Sequence, residues 1–522
     1  MLADYEVPLH KLIGVCADGA STMQGIYRGV CTRLLNHVRE LRAQARVLIA
    51  DGTIGRTLDT FHPHRGILKV HCVCHRLAVI VTDAHKGSES CDQVIPDECL
   101  ELLTDTFNYF SKSTKRKKKL REFLATINER IKENRRVALI AGRRPPVDVE
   151  RRNPAEALEK VLMLLEENHK LPRRIVMTRW LSSMDAVKVM VTSRETYKNF
   201  FEHETSEPGK GIFDRLWDNF IFAWYYCLLD VLPVLTGMNV LFQASLPLPH
   251  LLYPKISSAK QTLIGMVGTG NVLRTEIMPV EAVNEETSFG AYANKYMDVE
   301  GWSFTDLEKI NVKRDWHKLY VHCLNEIDRR FPPENMVVFK LFQVLDPSVV
   351  HGPTRRQLIG TEDLAVSVTE LLSLSVFEIP LHLSLSSKYT IEDMKNAFTA
   401  FRSSEACAGI WQAHVGRSVP FDNKVVYDYY RALLQLPEVA AWAFACLFLL
   451  IFPTGNAVAE RGFSAMGAVH SKQRSEMSHE QVWAHMMIQF NGPQLSEYAK
   501  KIDMESRVPN WWGHVGTSNY NN

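Results

Sequence analysis

Cys-x-x-Cys spacing is missing from the sequence: its 10 cysteines are scattered singly, and no apolar leader opens it. A disulfide-stapled secreted scaffold is therefore not expected, and the cysteines read as thiols of a reducing intracellular compartment. Long hydrophobic runs are scarce as well. The apolar run Val439–Phe452, stopped by Pro453, is too short to span a bilayer and reads as a buried core helix, so no membrane partner is expected. Also lacking are a phosphate-binding loop, a dinucleotide fingerprint and a Gly-x-Ser-x-Gly elbow. These absences argue against nucleotide-hydrolysing, dinucleotide-dependent and hydrolase chemistry, and against any small-molecule substrate. No fixed-period repeat marks a solenoid. Net charge is nearly absent too, with Lys plus Arg at 61 against 59 for Asp plus Glu.

What is present is a long, ordered composition. The 522 residues are 46% hydrophobic and 23% charged, which suits a globular protein of two or three domains. The even charge balance hides an asymmetry: Ser111–Met190 holds 21 basic and 10 acidic residues. Such a segment reads either as a surface for a polyanion or as solvated helix faces. Leu12–Gly19 is an apolar run ending in Asp-Gly, the pattern of a buried strand and tight turn. Helical spacing follows over Ala20–Arg42, and Arg46–Gly52 reads as a second strand. From Glu98 to Val425 the pattern is helical, with loops expected at Gly142–Pro154, Glu207–Gly211, Pro247–Pro254, Gly265–Gly270 and Val349–Pro353. Asn456 can cap a helix over Ala457–Gln473. Ser478 with Gln481 has the form of a capping box opening the next. Residues 496–522 read as a loose polar tail.

Four islands carry chemistry. They are Gly14-Val15-Cys16-Ala17-Asp18-Gly19-Ala20-Ser21, His71-Cys72-Val73-Cys74-His75-Arg76-Leu77, Thr178-Arg179-Trp180-Leu181-Ser182 and Pro453-Thr454-Gly455-Asn456-Ala457-Val458-Ala459-Glu460-Arg461-Gly462-Phe463. In this order they resemble the hAT superfamily of DNA transposases and the domesticated host proteins derived from them. The fold class implied is α/β plus α: an RNase H-like core, incomplete because its opening strands are missing, interrupted by a large all-helical insertion. Residues 1–97 would form the first part of the core and 98–425 the insertion. Residues 426–495 would form the second part, with a C-terminal dimerisation region.

A carboxylate at the carboxyl end of a buried strand, such as Asp18, suits coordination of a hard divalent cation; an ordinary Asp-Gly turn is the alternative. The resemblance makes Asp18 the second acid of an Asp-Asp-Glu triad and Glu460 the third, the catalytic and metal-ligating pair. From local sequence alone, Glu460 is equally a partner of Arg461. Three carboxylates would hold two Mg²⁺ ions for phosphodiester transfer. Only seventeen residues precede Asp18, which leaves no room for the family's first Asp; Asp4 sits in a polar leader, and Asp51 lies in an insertion-like stretch. The expectation is a catalytically inactive protein needing no cofactor, with Mg²⁺ relevant solely to catalysis. The alternative is a fragment of an active, Mg²⁺-dependent DNA transposase whose zinc finger and first Asp are absent from this chain.

Nucleic-acid contacts are expected at three places. Cys72 and His75 match the family's Cys-x-x-His motif. With His71, Cys74, His62 and His64 they also form a crowded candidate zinc cluster. Arg179 and Trp180 pair a cation with an aromatic ring, as base stacking requires, although a Trp buried among helices has the same signature. Lys115, Arg116 and Lys117 open a basic run that reads as a phosphate-contacting helix end or a nuclear import signal. Trp442, Phe444, Phe448, Ile451, Met466 and Met486 offer more apolar surface than one helix stripe needs. The family places its dimerisation segment there. The expected partners are a second copy of the chain, as a homodimer or higher oligomer, and DNA, in the nucleus.

Overall fold

Two short parallel strands and a long succession of helices make up the computed structural model. It describes residues 12, 14–17, 29–50, 68–87, 92–140, 170–173, 183–204, 206–244, 246–268, 275–351, 364–374, 389–415 and 424–456. Past these it describes 459–462, 466–467, 477–478, 481–482 and 486. The chain divides into two units, Met1–Asn456 and Ala457–Asn522.

In the first unit, β1 (Gly14–Ala17) runs parallel to β2 (Leu68–His71), with Gly14 opposite Leu68 and Ala17 opposite His71. Parallel neighbours need a crossover connection, and this one contains α1 (Val30–Ala50). The strand expected at Arg46–Gly52 is thus corrected: through Ala50 it is the end of α1. Its aliphatic run fits either period, and with no Gly or Pro between Cys31 and Ala50 an established helix propagates through it. After β2 the Cys72 amide donates to the Ala17 carbonyl (2.8 Å), extending the ladder by one bond, and the chain turns into α2 (Val73–Lys86).

From Asp97 the described chain is helical. A hairpin of α3 (Asp97–Ser111) and α4 (Thr114–Ile140) comes first. Then follow α5 (Ser183–Thr192), α6 (Arg194–Phe201) and α7 (Glu207–Leu216). The centre is α8 (Asn219–Phe242) with α9 (Pro249–Gly265), α10 (Ala291–Glu300) and α11 (Asp306–Arg330). Shorter pieces follow: α12 (Pro333–Leu341), α13 (Pro347–His351) and α14 (Leu364–Leu372). The last are α15 (Ile391–Ser403), α16 (Glu405–Val415), α17 (Lys424–Leu433) and α18 (Ala440–Leu450). Two expected loops are helix starts instead. Pro208 and Pro249 sit in the first turns of α7 and α9, where a missing N–H costs nothing and the fixed φ is already helical.

One continuous core runs from Val70 to Phe452, so the boundaries expected at 97/98 and 425/426 both fall inside the first unit. It is rich in aromatic rings: Trp442 packs edge-on to Phe398, with centroids 4.9 Å apart, and Phe452 lies beside Phe339 and Phe342. Phe452 also lies on β1. A Cβ added at Gly14 would stand 2.4 Å from its ring, so only glycine admits this contact. The helix α8 is long and apolar enough to cross a membrane by composition, but 72% of its apolar window is buried inside the protein. Midway along it the buried Asp230 accepts the amides of Tyr292 and Ala293 (3.0 and 2.8 Å), closing the first turn of α10.

In the second unit, residues 459–462, 466–467, 481–482 and 486 are helical. The expected capping box is present: the Ser478 amide donates to the Gln481 side chain (2.9 Å), and the Gln481 amide donates to the Ser478 hydroxyl (3.3 Å). Both ends of a reciprocal cap are satisfied.

Candidate functional site

Parts of three of the islands, Gly14–Ala17, His71–Leu77 and Pro453–Asn456, meet where β1 and β2 end. Cys72 lies between β2 and α2, fully buried, and its thiol donates to the Asn456 side chain (2.8 Å). The Asn456 oxygen thus accepts Cys72, while Ala457 and Val458, the start of the helix it is expected to cap, lie outside the described residues. The Val73 amide donates to Thr454 (3.1 Å), and the Asn239 side chain of α8 donates to the Cys74 carbonyl (2.8 Å). The segment Pro453–Asn456 is thus laced to the start of α2. The contact with Cys72, together with burial, pushes the Cys16 thiol above its ordinary range.

This geometry gives Cys72, Thr454 and Asn456 structural contacts. Cys72 is wholly inside, with no face for nucleic acid, whereas His75 one turn on is exposed. Cys72 and Cys74 reach different acceptors, and among the described residues no three His, Cys, Asp or Glu side chains converge on a metal position. Asp18 follows directly on Ala17 in the chain but, with His62, His64, Arg179 and Trp180, lies outside the described residues. Glu460 is exposed on a helical segment of the second unit.

The expected dimerisation residues separate into two kinds. Trp442 is 0% exposed: Phe398 and its own helix layer already cover the indole, so it fills this chain's core and offers no surface to a second copy. Phe444 and Phe448 are half-buried, Phe444 beside Tyr389. Ile451 (54% exposed) and, in the second unit, Met466 (39%) keep outward apolar surface, and Met486 is half-buried.

The basic run builds a different kind of site. Ser113 closes the start of α4, its hydroxyl accepting the Arg116 amide (3.3 Å) and its carbonyl the Lys117 amide (3.0 Å). With the helix start fixed there, successive cations point in different directions. Lys115 is exposed, and Arg116 lies over the Tyr109 ring (4.1 Å to the centroid). Lys119 reaches Glu204 (2.9 Å), which also accepts the Tyr109 hydroxyl. Lys117 and Arg121, one turn apart, line a cleft of about 520 Å³ with Phe107 and Phe110 of α3 and the strap Lys170–Arg173. The strap is fixed from behind: the Tyr197 hydroxyl donates to the Lys170 carbonyl (2.7 Å). Phe110 is anchored among Tyr109, Phe200 and Phe201.

Among the described residues the lining contains Lys117, Arg121, Lys170 and Arg173 and no carboxylate. Among the described residues none pairs with Lys117, Arg121 or Arg173. The first turn of α4 holds no acid either, although helix N-termini favour anions and disfavour cations. Cations gathered at the positive end of a helix are a local cost to the fold, and an anionic ligand would relieve it. Of the cleft residues, Lys117 stood out in the sequence. Arg121 looked like one more exposed helix charge, and nothing local joins Arg173 to a helix some fifty residues earlier.

No family model matches the chain, and no curated protein matches it either.

Proposed function

We propose that this chain is a transposase-derived protein of the hAT type, catalytically inactive, which binds nucleic acid through the cleft between α3, α4 and the Lys170–Arg173 strap. The observation that carries the reading is a concave surface whose described lining holds Lys117, Arg121 and Arg173 without an acid among them. A polyanion recovers its counterion entropy on such a surface, and affinity then falls steeply with salt. The four ordered islands and the parallel pair β1/β2 ending just before Asp18 support an RNase H-like core with a helical insertion. Self-association through outward apolar residues such as Ile451, and nuclear localisation through Lys115–Lys119, belong to the same proposal.

Fluorescence anisotropy with labelled DNA at several salt concentrations tests it. Lys117→Glu with Arg121→Glu should weaken binding at least roughly ten-fold and flatten the salt dependence by about one unit of slope for each phosphate no longer neutralised. Binding unchanged by the double substitution would refute the assignment of the cleft. Mg²⁺- or Mn²⁺-dependent nicking that disappears in Asp18→Asn would instead identify an active strand-transfer enzyme. Sedimentation should show a dimer at micromolar concentration that Ile451→Glu weakens.

A further inference from the structure

We infer that the cleft takes single-stranded nucleic acid, with an unstacked base against Phe107 and flanking phosphates on Lys117, Arg121 and Arg173; this rests on the nucleic-acid reading above. The argument is that the lining mixes two chemistries which a duplex cannot use together. A duplex shows phosphates outward and keeps the faces of its bases stacked inside, so a duplex-binding surface needs cations but has no use for an apolar floor. Here the floor is apolar: Phe107 and Phe110 from α3, with Leu171 and Pro172 of the strap, line the cleft together with the cations. Phe110 is buried in the ring cluster and stiffens the floor, while Phe107 is half-buried and offers its ring. Aromatic rings bind bases of any sequence, because every base has a π-face, and cations beside them follow the backbone.

Size and rigidity agree. About 520 Å³ suits a compact ligand rather than the flank of a helix about 20 Å across. The strap is tied to α6 through Tyr197, and Arg116 and Lys119 are already engaged with Tyr109 and Glu204. Lys117, Arg121 and Arg173 line the cleft without internal partners among the described residues. By contrast, the larger groove along α11 is lined by Asp92, Glu281 and Glu326 against a single lysine, Lys318, and would repel a phosphate.

The test compares four probes on the full chain: oligothymidylate, oligouridylate, an abasic strand of equal length and a duplex of equal length. Oligothymidylate or oligouridylate should bind roughly ten-fold or more tightly than the abasic strand, the gain expected of one base stacked on an aromatic ring. Phe107→Leu, which keeps apolar volume, and Phe107→Ala should both remove most of that gain. A thermal melt shows that each variant is folded. The ratio of the two intact strands tells DNA from RNA. If the abasic strand or the duplex binds as tightly as the intact strands, the cleft reads phosphates alone. The single-strand inference then fails while nucleic-acid binding stands. If none of the four binds, the proposed function itself fails.

Discussion

Two concave regions of this protein are charged in opposite ways, and they differ more in what the charges do than in their sign. Along α11 the ionic groups are spent inside the molecule. Glu326 is nearly buried and accepts both Arg329 and Arg330 (2.6 and 2.9 Å), while Arg330 also pairs with Asp83 of α2. Burial pushes the Glu326 carboxyl up, but the two guanidiniums outweigh it and hold it below its ordinary range. In the cleft of α3 and α4, Lys117, Arg121 and Arg173 share one sign and have no internal partner among the described residues. The first arrangement joins helices distant in sequence; the second leaves charge over for something outside. A charged groove points to a ligand when its charges lack partners, whatever its volume.

The sharpest way to break this contrast is Glu326→Gln. Leaving one side of a nearly buried ion network without its partner should cost about 3 kcal/mol, read as a fall in the denaturant midpoint of the first unit. If Glu326→Gln unfolds the protein no more readily than Lys117→Gln, the distinction between spent and spare charge is wrong. A somewhat smaller loss is expected where another spent charge meets backbone. A Cβ at Gly290 would lie 2.1 Å from Cγ of Asp230, so Gly290→Ala must displace the carboxylate from the Tyr292 and Ala293 amides. Overpacking of this kind costs about 1–3 kcal/mol. A midpoint unchanged by Gly290→Ala would show that Asp230 does not anchor α10.

Acid should expose a third, milder dependence. Burial lowers the pKa of His250, against the opposing pull of Asp346, and among the described residues neither ring nitrogen finds a hydrogen-bond partner. His85 is lowered by burial too, with Asp97 opposing. A folded value below the unfolded 6.5 means that the fold prefers the neutral ring. That contribution is complete above pH 6.5 and is lost as the pH falls through and below it, because the unfolded chain then takes up protons the folded one refuses. Denaturant midpoints should therefore drop between about pH 7.5 and 5.5, and less so in His250→Leu. An equal drop in both would remove His250 from the account.

What the sequence disclosed, it disclosed through local pattern. The buried strand before Asp18, the apolar helix before Pro453 and the Ser478–Gln481 cap each depend on a few adjacent residues. Each appears where those residues place it. Where reading failed, two local rules competed or a distant partner decided. Val47-Leu48-Ile49 suits a strand as well as a helix end, and continuity with α1 settled it. Pro208 and Pro249 looked like loop markers because proline breaks helix interiors, yet both open helices. Trp442 looked like interface because its helix is apolar all round. Such a helix is equally the signature of a core element, and Phe398 shows which applies. The cleft was the least legible feature, since Lys117 and Arg173 become neighbours only through folding.

The smallest predicted effect on stability separates the two regions most cleanly, because its sign reverses. Lys117 sits in the first turn of α4, where the unpaired amides already make the field positive, and among the described residues no acid offsets it. Replacing it with Gln should cost the fold nothing and stabilise it by about 0.3–1 kcal/mol, measured by denaturation at low salt, where the dipole is least screened. The same substitution should weaken nucleic-acid binding. A residue whose removal helps folding and harms binding is held in place by its ligand, which is how spare charge differs from spent charge. Destabilisation by Lys117→Gln would instead mean that the cleft cations support the hairpin of α3 and α4, and that their shared sign answers to the fold.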